Sequence, residues 1–90
     1  MIIVAGYLLV KASKRTKFLK SSVEAVVLAR QTKGCIDFSV SADPIDKNRV
    51  NILEIWKSRK ALNTFRGNGP SDDLSSLIDR FELQEFEAEK

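Results

Sequence analysis

Asn51-Ile52-Leu53-Glu54-Ile55-Trp56-Lys57-Ser58-Arg59-Lys60-Ala61-Leu62-Asn63-Thr64-Phe65 decides how the rest of this chain is read. Its first half continues a strand, Arg49–Trp56, because apolar and β-branched residues dominate a run of strand length. Ser58 then caps a short helix over 59 to about 66. Glu54 and Trp56 are two positions apart, so the period of a strand puts both on one face. A carboxylate beside the sole indole, on an otherwise apolar strand, calls for a pocket or a structural hydrogen bond.

Working outward, residues 43–48 (Asp-Pro-Ile-Asp-Lys-Asn) form a turn, since Asp, Pro and Asn each favour one. The turn joins this strand to an antiparallel partner, Cys35–Ala42. That partner alternates, with Ile36, Phe38, Val40 and Ala42 on one side and Cys35, Asp37, Ser39 and Ser41 on the other. Ile2–Val10 is a continuous apolar run and reads as the first strand. Ser13 is placed to cap a helix over 14 to about 32, where Leu19, Val23, Val26 and Arg30 follow helical spacing and Phe18, Ala25 and Ala29 widen the stripe. Gly34 supplies the left-handed position that ends such a helix. Downstream, Gly67-Asn68-Gly69-Pro70 breaks the chain. Ser71 then caps a second short helix with Leu74, Leu77 and Ile78, and residues 80–88 form the last strand.

The resulting order, β-α-β-β-(α-α)-β, is an α+β fold of the ferredoxin-like, split βαβ kind: a four-stranded antiparallel sheet with helices on one face. The opposite face is not polar, whichever it is: the first strand has Ile3, Ala5, Tyr7 and Leu9 on one face and Ile2, Val4, Leu8 and Val10 on the other, and the third has Val50, Ile52 and Trp56 on one face and Leu53 and Ile55 on the other. An open sheet face normally carries polar residues, and 90 residues leave no second helical layer. A second copy related by a two-fold axis is the cheapest cover, so a homodimer through the sheet face is expected.

Composition is that of one globular domain spanning 1–90, with 43% hydrophobic and 30% charged residues. No apolar segment reaches the length of a membrane span, and no leader pattern opens the chain, so no membrane role is expected. The single Cys35 fits a reducing cytoplasm. Net charge is +3 but unevenly placed: residues 1–33 carry seven Lys or Arg against Glu24, and residues 71–90 carry seven acids against Arg80 and Lys90. These are two solvated faces, or else the acidic last strand lies against the basic first-helix region. No cluster has metal-ligand spacing, no Gly loop cradles phosphate, and Cys35 has no His to activate it, because the chain contains no His.

The chain resembles the antibiotic biosynthesis monooxygenase superfamily of dimeric α+β barrels over nearly its whole length. The residues that carry the likeness are the Gly34-Cys35 turn leading to Phe38, the Asp43-Pro44 turn, and Glu54-x-Trp56 followed by Ser58-x-x-Ala61-Leu62. The resemblance implies a cytoplasmic homodimer with a pocket between sheet and helices. It also implies oxidation of a small phenol, quinol or polyketide-like aromatic by molecular oxygen, with neither metal nor flavin. Two departures stand out. Phe65 occupies the position, nine beyond the Trp, where the family pattern commonly has a His. The haem-degrading branch looks to an Asn on the first strand, and Ile2–Val10 has none, so no cofactor is expected.

The candidate residues each have two readings. Trp56 is either core or a pocket wall that stacks on an aromatic ligand. Glu54 either pairs with Arg49, Lys57, Arg30 or a backbone N–H, or it is a carboxylate of raised pKa able to take a phenol's proton. Tyr7 either orients a substrate hydroxyl or packs. By the resemblance, Glu54 and Tyr7 are the catalytic candidates, and Trp56, Phe65, Phe38 and Asn63 hold the substrate. Asn63 and Arg66 either form the rim on the short helix or are simply exposed. The alternative is a non-catalytic member of the fold that binds a small apolar ligand. RNA recognition shares the element order, but base stacking needs aromatics on the open face. Cys35 and Asp37 stand where those rings belong, so no nucleic-acid partner is expected.

Overall fold

The computed structural model describes residues 1–67 and 74–89. Its elements run β1 (Ile2–Val10), α1 (Arg15–Gln31), β2 (Cys35–Ala42), β3 (Arg49–Trp56), α2 (Arg59–Gly67), one 3-10 turn (Ser75–Leu77) and β4 (Ile78–Glu87). The strands form one antiparallel sheet in the order β2-β3-β1-β4. β3 separates β1 from β2, and β1 separates β3 from β4, which is the split βαβ arrangement.

Register sorts the two faces. Ile2 lies opposite Trp56, Val4 opposite Glu54 and Leu8 opposite Val50. Those apolar residues, with Val10 and Ile52, are buried on the helix side. They build two clusters. One gathers Ile2, Val4, Ala29, Phe38, Trp56, Leu62 and Phe65; the other gathers Leu8, Val10, Phe18, Val50 and Ile52, and Val40 touches both. On the opposite face Ala5 lies between Leu53 and Gln84, and Ile3 between Ile55 and Phe86. Leu53 and Phe86 are exposed there.

Gly6 is required in the centre of β1. Its φ is +146°, and a Cβ there would lie 2.0 Å from the Glu82 carbonyl oxygen of β4. Gly34 has φ +92°, and its Cβ would come within 2.5 Å of the Ala61 Cβ, so the missing side chain lets α2 close onto the start of β2.

The β2–β3 turn is held from both sides. Asp43 accepts backbone N–H bonds from Asp46 at 2.8 Å and Ile45 at 3.0 Å, and a side-chain bond from Asn51 at 3.0 Å. These bonds, the Asp46 N–H foremost, hold its carboxyl down at about 2. Arg15 Nη1 then ties the start of α1 to the turn by donating to the carbonyls of Asp43 and Asp46 at 3.0 and 2.9 Å.

Several local expectations change. Ser13 does not cap α1: it sits at φ 65°, and Lys14 holds the cap position without a side-chain bond. The buried stripe of α1 is Phe18, Ser22 and Ala29, whereas Val23 is 57% exposed. Burying Ser22 is tolerable because its Oγ donates to the Leu19 carbonyl at 2.8 Å. The register of β2 shifts between Cys35 and Asp37, so Cys35 faces Trp56 and joins the core beside Phe38 instead of sharing a side with Asp37. The second short helix is a single 3-10 turn; β4 begins at Ile78, which pairs with Val10. Its expected cap, Ser71, lies outside the described residues.

Candidate active site

β3 and α2 bring the aromatic residues together. Trp56 ends β3 and is fully enclosed. Phe38 comes from β2, directly opposite Glu54. Phe65 comes from the inward face of α2. That helix starts where the Ala61 N–H donates to Ser58 Oγ at 3.1 Å, and Leu62 anchors it in the core. Trp56 and Phe65 stack at 5.2 Å with a 28° interplanar angle, while Phe38 meets both rings edge-on at 6.4 and 5.5 Å. Such offset and edge arrangements suit the ring quadrupoles.

Glu54 stands at the rim of this trio. The Trp56 indole N–H donates to Glu54 Oε1 at 3.0 Å. Among the described residues no cation stands within ion-pair distance of Glu54, so the expected pairs with Arg49, Lys57 or Arg30 do not form. Arg30 Nε instead donates to the Phe38 carbonyl, and Arg49 lies over the Tyr7 ring, 3.9 Å from its centroid. Burial pushes the Glu54 carboxyl above its ordinary value, and the nearby Glu85 charge adds to that. The indole N–H and the Arg66 charge act in the opposite sense without overcoming it. The result is a carboxyl that holds its proton more tightly than a free one and keeps a strong donor on one oxygen.

Four of the sequence candidates therefore meet: Glu54, Trp56, Phe65 and Phe38. Two do not. Tyr7 pairs with Asn51, one register step out of phase with Val4 and Glu54, so it lies on the opposite face of the sheet. Asn63 is on the exposed side of α2, between the inward-facing Leu62 and Phe65. Conversely, two α2 cations and one β4 acid at the site's edge were not singled out together by the sequence. Arg59 donates to Glu85 at 2.5 Å, and Arg66 lies 3.6 Å from the other Glu85 oxygen. Charge asymmetry gave half of that signal. Within the chain, among the described residues, the acidic last strand finds its basic partners on α2 and in its own Arg80, not in the first-helix region.

The aromatic trio is tightly packed, with Phe65 9% and Phe38 6% exposed. Two surface depressions among the described residues lie elsewhere. One of about 400 Å³ is edged by Lys33, Lys57 and Lys60, and one of about 260 Å³ by Arg15 and Lys47. Among the described residues no three metal-ligating side chains converge. No described helix is long and apolar enough to cross a membrane.

The profile of the antibiotic biosynthesis monooxygenase family matches residues 1–73. Two solved structures classed with those monooxygenases share the fold. One from Nitrosomonas europaea has a TM-score of 0.86 at 16% identity, covering 98% of each chain. One from Deinococcus radiodurans has a TM-score of 0.84 at 25% identity, covering 100% of this chain and 94% of its own. A mutant of MhuD with two manganese protoporphyrins in its active site also shares the fold, at a TM-score of 0.72 and 15% identity over 98% of this chain and 94% of its own. A Synechocystis protein, sll1783, is 34% identical over 62 residues, which is 69% of this chain but 42% of that protein. This chain belongs to the antibiotic biosynthesis monooxygenase family. Its fold is the α+β fold of that family, and its sequence contains no imidazole.

Proposed function

We propose that this protein is a monooxygenase that oxidises a small phenol or quinol without a bound cofactor, with Glu54 accepting the substrate's hydroxyl proton. The single observation that carries the reading is the Glu54 carboxyl. It is partly buried, bonded to the Trp56 indole N–H at 3.0 Å and free of any ion pair among the described residues. A carboxyl whose affinity for protons is raised is a better base once ionised than a solvated one. Proton loss leaves an electron-rich oxyanion, which can give electrons to dioxygen. The stoichiometry closes without a reductant: a quinol and O2 give a hydroxyquinone and water, one oxygen atom entering the ring. Phe65 and Phe38, which keep a little exposed surface, supply flat apolar walls for an aromatic ring, with the enclosed Trp56 behind them holding the Glu54 carboxyl in place. Tyr7 has no part in this step, because it lies across the sheet.

This domain acts in the cytoplasm, paired with a second copy through the sheet face. Ile3, Ala5, Leu53, Ile55 and Phe86 give that face its apolar character.

A second reading, binding of a small apolar ligand without catalysis, is favoured by the close packing of the three rings and by Phe65 in place of an imidazole. Oxygen uptake against a panel of quinols separates the two. Glu54→Gln is expected to lower kcat by about 10²–10⁴-fold, the usual contribution of a positioned general base. Trp56→Phe, which removes the indole donor, is expected to lower it less. Wild-type uptake in both variants would remove Glu54 from the chemistry, and no uptake by the wild type with any quinol would favour the binding reading.

A further inference from the structure

A carboxylate alone is a poor match for a phenol. The two groups ordinarily titrate roughly six pKa units apart, near ~4.3 and ~10. The environment of Glu54 narrows that gap from the acid's side; a cation against the phenolate oxygen must narrow it from the other. Phe65 cannot do this, and the chain has no imidazole.

The neighbourhood of Glu54 contains one group that can. Val4 of β1 has Glu54 of β3 on one side and Glu85 of β4 on the other, so both carboxylates leave the sheet on the helix face, flanking a buried valine. Around Glu54 stand Phe38 and Cys35 on β2, Val4 on β1, Trp56 on β3, Phe65 and Arg66 on α2, and Glu85 on β4. Phe38, Val4 and Trp56 are buried, whereas Arg66 and Glu85 are exposed, so the open side of Glu54 is theirs. Glu85 already has its hydrogen-bonding cation, Arg59 at 2.5 Å. Arg66 reaches Glu85 at 3.6 Å, beyond hydrogen-bond length, and this is its sole ion pair among the described residues.

We propose that Arg66 is the second catalytic group of the site: its guanidinium leaves Glu85 for the substrate oxygen and holds it as a phenolate while Glu54 takes the proton. This rests on the reading of Glu54 given above. The O–H bond of the substrate breaks, the proton bonds to a Glu54 oxygen, and the electron pair stays on the substrate oxygen against Arg66. Glu85 keeps Arg59, so the release of Arg66 leaves no unpaired acid. The site then selects hydroxylated aromatics that can carry the negative charge next to an arginine, and disfavours aromatic amines and cations.

The probe is 4-nitrophenol, whose neutral and ionised forms absorb at different wavelengths. Its ionisation is followed by absorbance titration, free and bound to wild type, Arg66→Gln, Arg66→Lys and Glu54→Gln. Bound to wild type, it is expected to ionise at least roughly tenfold more readily than free, about one pKa unit. Arg66→Gln loses that shift, Arg66→Lys keeps part of it, and Glu54→Gln retains it. Arg66 is exposed, so circular dichroism of both Arg66 variants is expected to match wild type. Equal titration in wild type and Arg66→Gln, or no uptake of the probe at millimolar concentration, overturns the proposal. The reading of Glu54 stands or falls separately, on the oxygen uptake of Glu54→Gln.

Discussion

At the scale of single residues, the account turns on the bond from the Trp56 indole to Glu54. A raised carboxyl pKa means that the folded protein binds the proton more tightly than the unfolded chain does. The stability this contributes is complete below the ordinary value of 4.5 and is lost as pH rises through the higher folded value. Glu54→Gln removes the ionisation and keeps an oxygen for the indole N–H. Thermal melts at pH 4 and pH 7 are therefore expected to show the Gln variant gaining on wild type as pH rises; a gain in the opposite direction would mean that Glu54 ionises easily in the fold. Much of this was legible in the sequence. The period of a strand alone put Glu54 and Trp56 on one face, whereas the inward side of α2 that carries Leu62 and Phe65 came only with the structure. The role of Tyr7 was not legible as a contact: its face follows from an odd position in β1, but the guanidinium that covers it, Arg49, comes from another strand. Arg66 was visible only as a rim residue, because its meaning depends on Glu85, which lies in a strand whose register no local pattern shows.

At the scale of elements, glycine and hydrogen bonding decide more than propensity does. Gly6 is the point where β1 and β4 approach too closely for any side chain. Gly6→Ala is expected to cost about 1–3 kcal/mol, the range for forcing an extra methyl into a packed site, and urea unfolding measures it. A loss below 0.5 kcal/mol (on the order of a neutral surface change) would show that the two strands can part. The strands and the long helix were readable because apolar residues recur with the right period. The missed details share a cause. Ser22 is buried and Val23 exposed because an internal hydroxyl–carbonyl bond makes serine acceptable inside, which an apolar stripe cannot reveal. The shift in β2 was hidden for a similar reason: an extra residue, Ile36, turns the alternation by one step, and only pairing with β3 exposes it. Ser13 looks like a cap by residue type, yet the chain turns through a left-handed conformation there instead.

At the scale of the whole molecule, the sheet has one covered face and one bare one. Ile3, Ala5, Leu53, Ile55 and Phe86 share the bare face, and none of the described helices packs over it. Light scattering after size exclusion is expected to give twice the mass of the 10.1 kDa chain at micromolar concentration, and Leu53→Glu to shift it to monomer. A wild-type mass of one chain would mean that the face is bare in solution. The fold class was legible from element order, and so was this apolar face. The chemistry was less so, because the chain has no imidazole and the proposed reading leaves Glu54 to carry the proton. That claim is tested most directly by a pH titration of the Glu54 side-chain carboxyl in ¹³C-glutamate-labelled protein, with Glu54→Gln to assign the signal. The account predicts a midpoint above 4.5, with the Trp56 indole resonance moving at the same midpoint; a Glu54 midpoint at or below 4.5 would contradict it.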